Sequence, residues 1–294
     1  MHDLRVKVGD IELQVRQYER AADAVIFLHF SGSNLMMWQR AIPYFQDQFH
    51  LILLDLRDHG KSDKPQAGDN MDQMARDVVA VMEQLKIEHA YIVGSSLGAE
   101  VGLALAANHP EKVISLVCEG SVCSEFGPFS TWQGSESEYN TFVEQTLADM
   151  HSKTEPFFPS IQALVESRKQ VFEKFGWWNL YFEALYEYDA FQVGEGQFTF
   201  GHQKLAKETY FEGYFKCRFE DYYRRVKCPV LILLGDDEWQ SEETKVVLKN
   251  LLDLTPDGRI AAVPGWVHPY GWMIDPESIS KTITTFFRET VTSY

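Results

Sequence analysis

The sequence predicts an α/β fold: a mainly parallel, twisted sheet with helices on both faces, carrying a mostly helical cap insertion. Three observations lead there. Several apolar runs are continuous, not alternating, as in strands buried on both faces. Helical patterns separate them. Residues 121–218 break the alternation with helical, aromatic-rich segments.

Residues 4–18, LRVKVGDIELQVRQY, alternate about Gly9-Asp10 and read as a β-hairpin. AVIFLHF (24–30), HLILLDLR (50–57), AYIVG (90–94), VISLVCEG (113–120), PVLILLG (229–235) and RIAAVPG (259–265) read as two-sided buried strands. Residues 70–85 place Met71, Met74, Val78, Val81, Met82 and Leu85 on one helical face. LGAEVGLALAANHP (97–110) runs helically to Pro110. SEETKVVLKNLL (241–252) opens with a serine cap, and PESISKTITTFFRET (276–290) with a first-turn proline.

The core is therefore expected over 1–120 and 219–294, with 121–218 inserted. The insertion carries TFVEQTLADMHSK and PSIQALVESRKQVFEKFGWW and many aromatics, among them Trp177, Trp178, Tyr186 and Phe191. So much apolar surface must be covered. Packing on the carboxyl edge of the sheet would make this segment a lid. In such sheets ligands bind at the carboxyl ends of the strands.

With 294 residues and 45% hydrophobic content, the chain can bury a large core. A formal net charge of -16 repels phosphate backbones and anionic lipid heads, so neither nucleic acid nor membrane is an expected partner. MHDLRVKVGD lacks a signal-peptide core, and no apolar run is long enough to span a bilayer, so a soluble, cytoplasmic protein is expected. Cys118, Cys123, Cys217 and Cys228 show no metal-site spacing, so no metal is expected and the thiols should be reduced.

Gly94-Ser95-Ser96-Leu97-Gly98 lies between a strand and a helix and has the form G-x-S-x-G. A serine hydroxyl needs exposure, a nearby base and stabilisation of the charge that it creates. A sharp strand-to-helix turn lifts Ser96 off the sheet, and the helix that follows points its positive end at a developing oxyanion.

With that turn in this context, the chain resembles the α/β-hydrolase superfamily over residues 24–120 and 220–290. The resemblance implies the chain order nucleophile, acid, histidine. His268, in VPGWVHPYGW past the last strand, matches the family's general base. The acid is implied in GDDEW after PVLILLG. Relatives carry aspartate three residues after the glycine; here that residue is Glu238, with Asp237 as the alternative. The oxyanion donors implied are the N–H groups of Leu97 and of Ser31, the latter in His29-Phe30-Ser31-Gly32-Ser33, where relatives often read H-G-x-x-G. Phe30 replaces a glycine there. Asp55 to Ser62 resembles the family turn D-x-R-G-H-G-x-S, with Asp58 in a glycine position, and is assigned a structural role.

The expected function is cleavage of a carboxylic ester, or a related acyl bond, of a small to medium apolar molecule through an acyl-enzyme, without metal or organic cofactor. Serine at position 96 argues against the dehalogenase and epoxide-hydrolase branches, which use aspartate there. Carbon–carbon hydrolase, lactonase, thioesterase and lyase chemistry remain open, as does a non-catalytic binding protein on this scaffold. Oligomeric state is not legible.

Overall fold

The computed structural model describes residues 1–65 and 70–291. The chain opens with the expected hairpin, β1 (His2–Val8) and β2 (Ile11–Tyr18), followed by β3 (Ala24–Leu28) and β4 (His50–Leu54). Next come α1 (Met71–Gln84), β5 (Ala90–Ser95), α2 (Leu97–Asn108) and β6 (Val113–Glu119). After the intervening segment, α7 (Phe219–Tyr223), numbered here in chain order, leads to β9 (Val230–Leu234), α8 (Asp236–Gln240), α9 (Glu242–Leu252), β10 (Gly258–Ala262), α10 (Gly271–Ile274) and α11 (Glu277–Val291).

The segment between β6 and α7 holds α3 (Glu136–Ser152), α4 (Ile161–Phe172), α5 (Leu180–Asp189), β7 (Ala190–Gly194), β8 (Gln197–Phe200) and α6 (Lys204–Tyr214). Ser135 caps α3 in a capping box with Glu138. The β7–β8 hairpin is an addition to the helical reading. VGEGQ supplies its turn, with Gly196 at φ 65.

Eight strands form one sheet in the order β1-β2-β4-β3-β5-β6-β9-β10. The pairs from β4 to β10 run parallel, while β1–β2 and β2–β4 are antiparallel. Strand pleating sends successive side chains to opposite faces. Ile26, Leu28 and Ile92 enter a core covered by α1, α2 and α9; Val25, Phe27, Tyr91 and Val93 enter another, covered by α11 and α10. That is the physical reason for unbroken apolar runs: both faces are dry. Leu164 and Phe172 of α4 and Phe182 and Leu185 of α5 extend the second core.

The segment between β6 and α7 is also hydrogen-bonded to residues beyond the carboxyl ends of the strands. Asn34 Nδ2, past β3, donates to Leu185 O at 3.3 Å. Tyr188 OH donates to Asp55 Oδ2, past β4, at 2.8 Å, and Tyr210 OH to Glu100 Oε2 of α2 at 2.5 Å. No helix among the described residues is long and apolar enough to cross a membrane.

Candidate active site

Ser96 stands alone between β5 and α2 with φ 51 and ψ -117, a left-handed backbone that a non-glycine residue adopts only when its surroundings impose it. Its N–H donates to Glu119 O at 2.9 Å, and its carbonyl accepts from Ala99 N at 2.8 Å, so both ends of the turn are tied down. Gly98 is required by close approach: a Cβ there would collide with the Leu28 carbonyl of β3. Ser96 is partly exposed, whereas its neighbours Ser95 and Leu97 are buried.

In the parallel pairing of β5 with β6, Ser95 lies opposite Glu119. Glu119 is wholly buried, and its carboxylate receives four donors. Oε1 accepts from Trp266 Nε1 at 2.8 Å and faces His268 Nδ1 at 2.5 Å. Oε2 accepts from Ser95 Oγ at 2.5 Å and Trp272 Nε1 at 3.3 Å. Burial pushes the Glu119 carboxyl up, but the charge of His268 and hydrogen bonds from His268, Ser95 and Trp266 outweigh it, and the group is held below its ordinary value. For His268, burial works downward; the Glu119 charge and hydrogen bond prevail, and the imidazole is raised above 6.5. Facing a carboxylate, Nδ1 carries a proton, which leaves Nε2 of the neutral ring able to accept one. The His268 side chain is 30% exposed, enough to meet a substrate. Gly120 (φ 103) makes room for the ring: a Cβ at that position would lie 2.5 Å from His268 Cε1.

The carboxylate that meets His268 is not the expected one. Glu238 sits in α8, where Oε1 accepts from Ser121 N at 2.9 Å and Ser121 Oγ at 2.6 Å, and Oε2 from Gly235 N at 3.3 Å. It ties the start of the post-β6 loop to the end of β9 and contributes only its field to His268. Asp237 is exposed in the same helix. The carboxylate against the imidazole comes from the end of β6, one sheet position closer to Ser96 than β9. A signal for it lies in VISLVCEG: an isolated carboxylate ending an apolar strand has to find buried partners. In chain order these residues run Ser96, Glu119, His268.

The two expected oxyanion donors lie just past the ends of β5 and β3. Leu97 is the first residue of α2. The Phe30 carbonyl is occupied by Ser33 N at 3.1 Å and by His29 Nδ1 at 2.9 Å. In a planar trans peptide the next N–H, that of Ser31, points the opposite way. Phe30 packs edge-on against Tyr270, with ring centroids 5.6 Å apart.

The Asp55–Ser62 turn is held from within. Buried Asp55 accepts from Leu35 N at 2.7 Å and Lys61 N at 2.8 Å, and burial raises it to about 6. Arg57 grips Asp77 of α1 through Nε (2.6 Å) and Nη2 (2.8 Å). Asp58 takes φ 60, which explains the glycine usual there. Among the described residues there is no cluster of three or more histidine, cysteine or acidic side chains suited to a metal ion.

Beside the Ser31 loop lies a cavity of about 420 Å³, walled on the insertion side by α4, α5, β8 and α6 and on the core side by Ser31 and Tyr270. Its lining includes Arg168, His202 and Lys207, which sequence reasoning did not single out. Only folding brings these three to one place.

A sequence profile for the alpha/beta hydrolase fold matches residues 23–252. The chain is 28% identical to 2-(acetamidomethylene)succinate hydrolase of Mesorhizobium japonicum over 296 aligned positions, 96% of this chain and 94% of that protein. A crystal structure of E-2-(acetamidomethylene)succinate hydrolase superposes with a TM-score of 0.75 at 26% identity, covering 98% of this chain and 99% of that one. The similarity to 3-oxoadipate enol-lactonase 2 of Acinetobacter baylyi is higher, 35%, but spans 125 residues, 42% of this chain and 46% of that protein. These relatives are hydrolases acting on small molecules. With its profile match, strand order and strand-to-helix serine turn, the chain belongs to the alpha/beta hydrolase fold family.

Proposed function

We propose that the protein is a serine hydrolase that cleaves a carboxylic ester, or a related acyl bond, of a small to medium molecule through an acyl-enzyme. The observation that carries this reading is the 2.5 Å contact between His268 Nδ1 and Glu119 Oε1, with Glu119 paired across the sheet to the residue before Ser96.

In this mechanism His268 Nε2 takes the proton from Ser96 Oγ as that oxygen attacks the carbonyl carbon. Glu119 holds the imidazole in the required tautomer and stabilises it once protonated. Leu97 and Ser31 N–H groups bind the oxyanion. The leaving group departs with the proton from His268. Water, deprotonated by His268, then attacks the acyl-enzyme and releases the acid and free Ser96.

The insertion, residues 121–218, serves as a lid in this reading. Support comes from the hydrogen bonds that Leu185 and Tyr188 make to loops past β3 and β4, and that Tyr210 makes to the first turns of α2. The similarity to an enol-lactonase keeps lactone cleavage beside ester cleavage in this reading.

The test is hydrolysis of 4-nitrophenyl esters of graded acyl length by the wild type and by Ser96→Ala, His268→Ala and Glu119→Gln. Loss of turnover in all three, with folding intact, is expected. Turnover that survives Ser96→Ala would overturn the reading.

A further inference from the structure

The chain carries 43 acidic and 27 basic residues, yet the cavity beside Ser31 is lined by two cations and no carboxylate. Arg168 projects from α4 with its guanidinium carbon 4.0 Å from the centre of the Phe200 ring. Its Nε is buried without a hydrogen-bond partner, and Arg168 makes no ion pair among the described residues. Lys207, from α6, likewise makes none there; Glu155 and Asp189 act on it only through their fields. The floor is His202, 1% exposed, with Nδ1 unpartnered. The His202 ring stacks on His59 at 3.8 Å, and burial holds it well below the ordinary histidine value, so it stays neutral.

Burying cationic and polar groups without partners is costly unless a ligand completes them. The neighbouring cations differ. Lys204, on the outer side of α6, pairs with Glu208 at 3.4 Å and donates to His151 O at 2.7 Å. Of these three cations, the two that line the cavity are the ones without an ion pair. A planar guanidinium on an aromatic face, a lysine nearby and a buried ring nitrogen match a carboxylate. Aromatic walls from Phe172 and Tyr270 suit the short carbon chain joining that carboxylate to the bond being cleaved.

We propose that this cavity is a carboxylate subsite and that the substrate is a small organic acid: one end is the acyl group attacked by Ser96, the other a carboxylate held by Arg168 and Lys207. This rests on the hydrolase reading above and narrows it, replacing a wholly apolar substrate with an anionic one.

Two measurements separate the inference from the reading beneath it. The first compares kcat/KM for mono-4-nitrophenyl glutarate, which carries a free carboxylate, with that for neutral 4-nitrophenyl pentanoate. The wild type is expected to prefer the hemiester, and Arg168→Met and Lys207→Met are each expected to lower the preference roughly 10- to 100-fold. Arg168→Lys should restore part of it. The second is calorimetric titration of glutarate into the wild type and Arg168→Met, with melting curves to verify folding. Binding in the wild type that weakens at least about tenfold in the variant supports the subsite even if neither ester turns over. Turnover without preference for the hemiester, or no heat with millimolar glutarate, overturns the subsite and leaves the hydrolase reading standing.

Discussion

Glu119 and His268, 149 positions apart in sequence, meet through Oε1 and Nδ1 at 2.5 Å, and two indole N–H groups, from Trp266 in the histidine's loop and Trp272 in α10, complete the carboxylate. The carboxylate, the imidazole and the two indoles thereby form one hydrogen-bonded network. Its members do not act additively, so each substitution reports on the whole.

Exchanging the acid is the most direct consequence. Glu119→Gln is expected to lower kcat by about 10³- to 10⁴-fold, because the amide cannot hold the required imidazole tautomer. Glu238→Gln, which weakens bonds to Ser121 and Gly235, is expected to cost less than about tenfold. Parallel kinetics of the two variants on a 4-nitrophenyl ester decide between them, and a larger loss from Glu238→Gln would return the acid to α8.

The pH profile follows from the same contact. His268 must be neutral to accept a proton, and Glu119 raises it above 6.5, so kcat/KM should climb with pH and its midpoint should lie above 6.5. Removing the charge with Glu119→Gln leaves burial as the main influence and should move the midpoint of residual activity to lower pH. An unmoved midpoint would mean that another group controls the limb.

Gly120 limits the space beneath the imidazole. Gly120→Ala adds a Cβ 2.5 Å from His268 Cε1 at φ 103 and should displace the ring. Strain of about 1–3 kcal/mol and a loss of about 100-fold or more in kcat are expected, checked by thermal melts and kinetics.

Glu100, one turn beyond Ser96, accepts from Tyr210 OH and is raised by burial from 4.5 to about 7. The folded state therefore holds this proton more tightly than the unfolded chain. Its stabilising contribution is present below 4.5 and declines as pH rises through about 7. Glu100→Gln should flatten that decline, raising stability at pH about 8 by on the order of 2 kcal/mol with little change at pH about 4. Melting temperatures at both pH values test this, and an equal shift at both would sink it.

Most of the architecture was legible before folding. The order of strands and helices follows from apolar runs that need two dry faces, and from helical stripes with their own caps. The serine turn was legible too, because G-x-S-x-G between a strand and a helix is a local shape. The β7–β8 hairpin escaped because its strands are short and most of its residues are exposed or only partly buried, so no continuous apolar run marks it. The partner of His268 escaped for a different reason. Glu238 lies in the expected stretch of sequence, but which carboxylate reaches an imidazole depends on strand order and register.

By itself, the sequence determined the local elements, the two-faced sheet and the sharp turn at Ser96, since each depends on residues a few positions apart. The tertiary structure decided that Glu119, opposite Ser95 across β5 and β6, faces His268, and that Arg168, His202 and Lys207 share one cavity. Such meetings of distant residues are set by sheet register and by the seating of one packed layer on another, for which no short stretch of chain carries the signal.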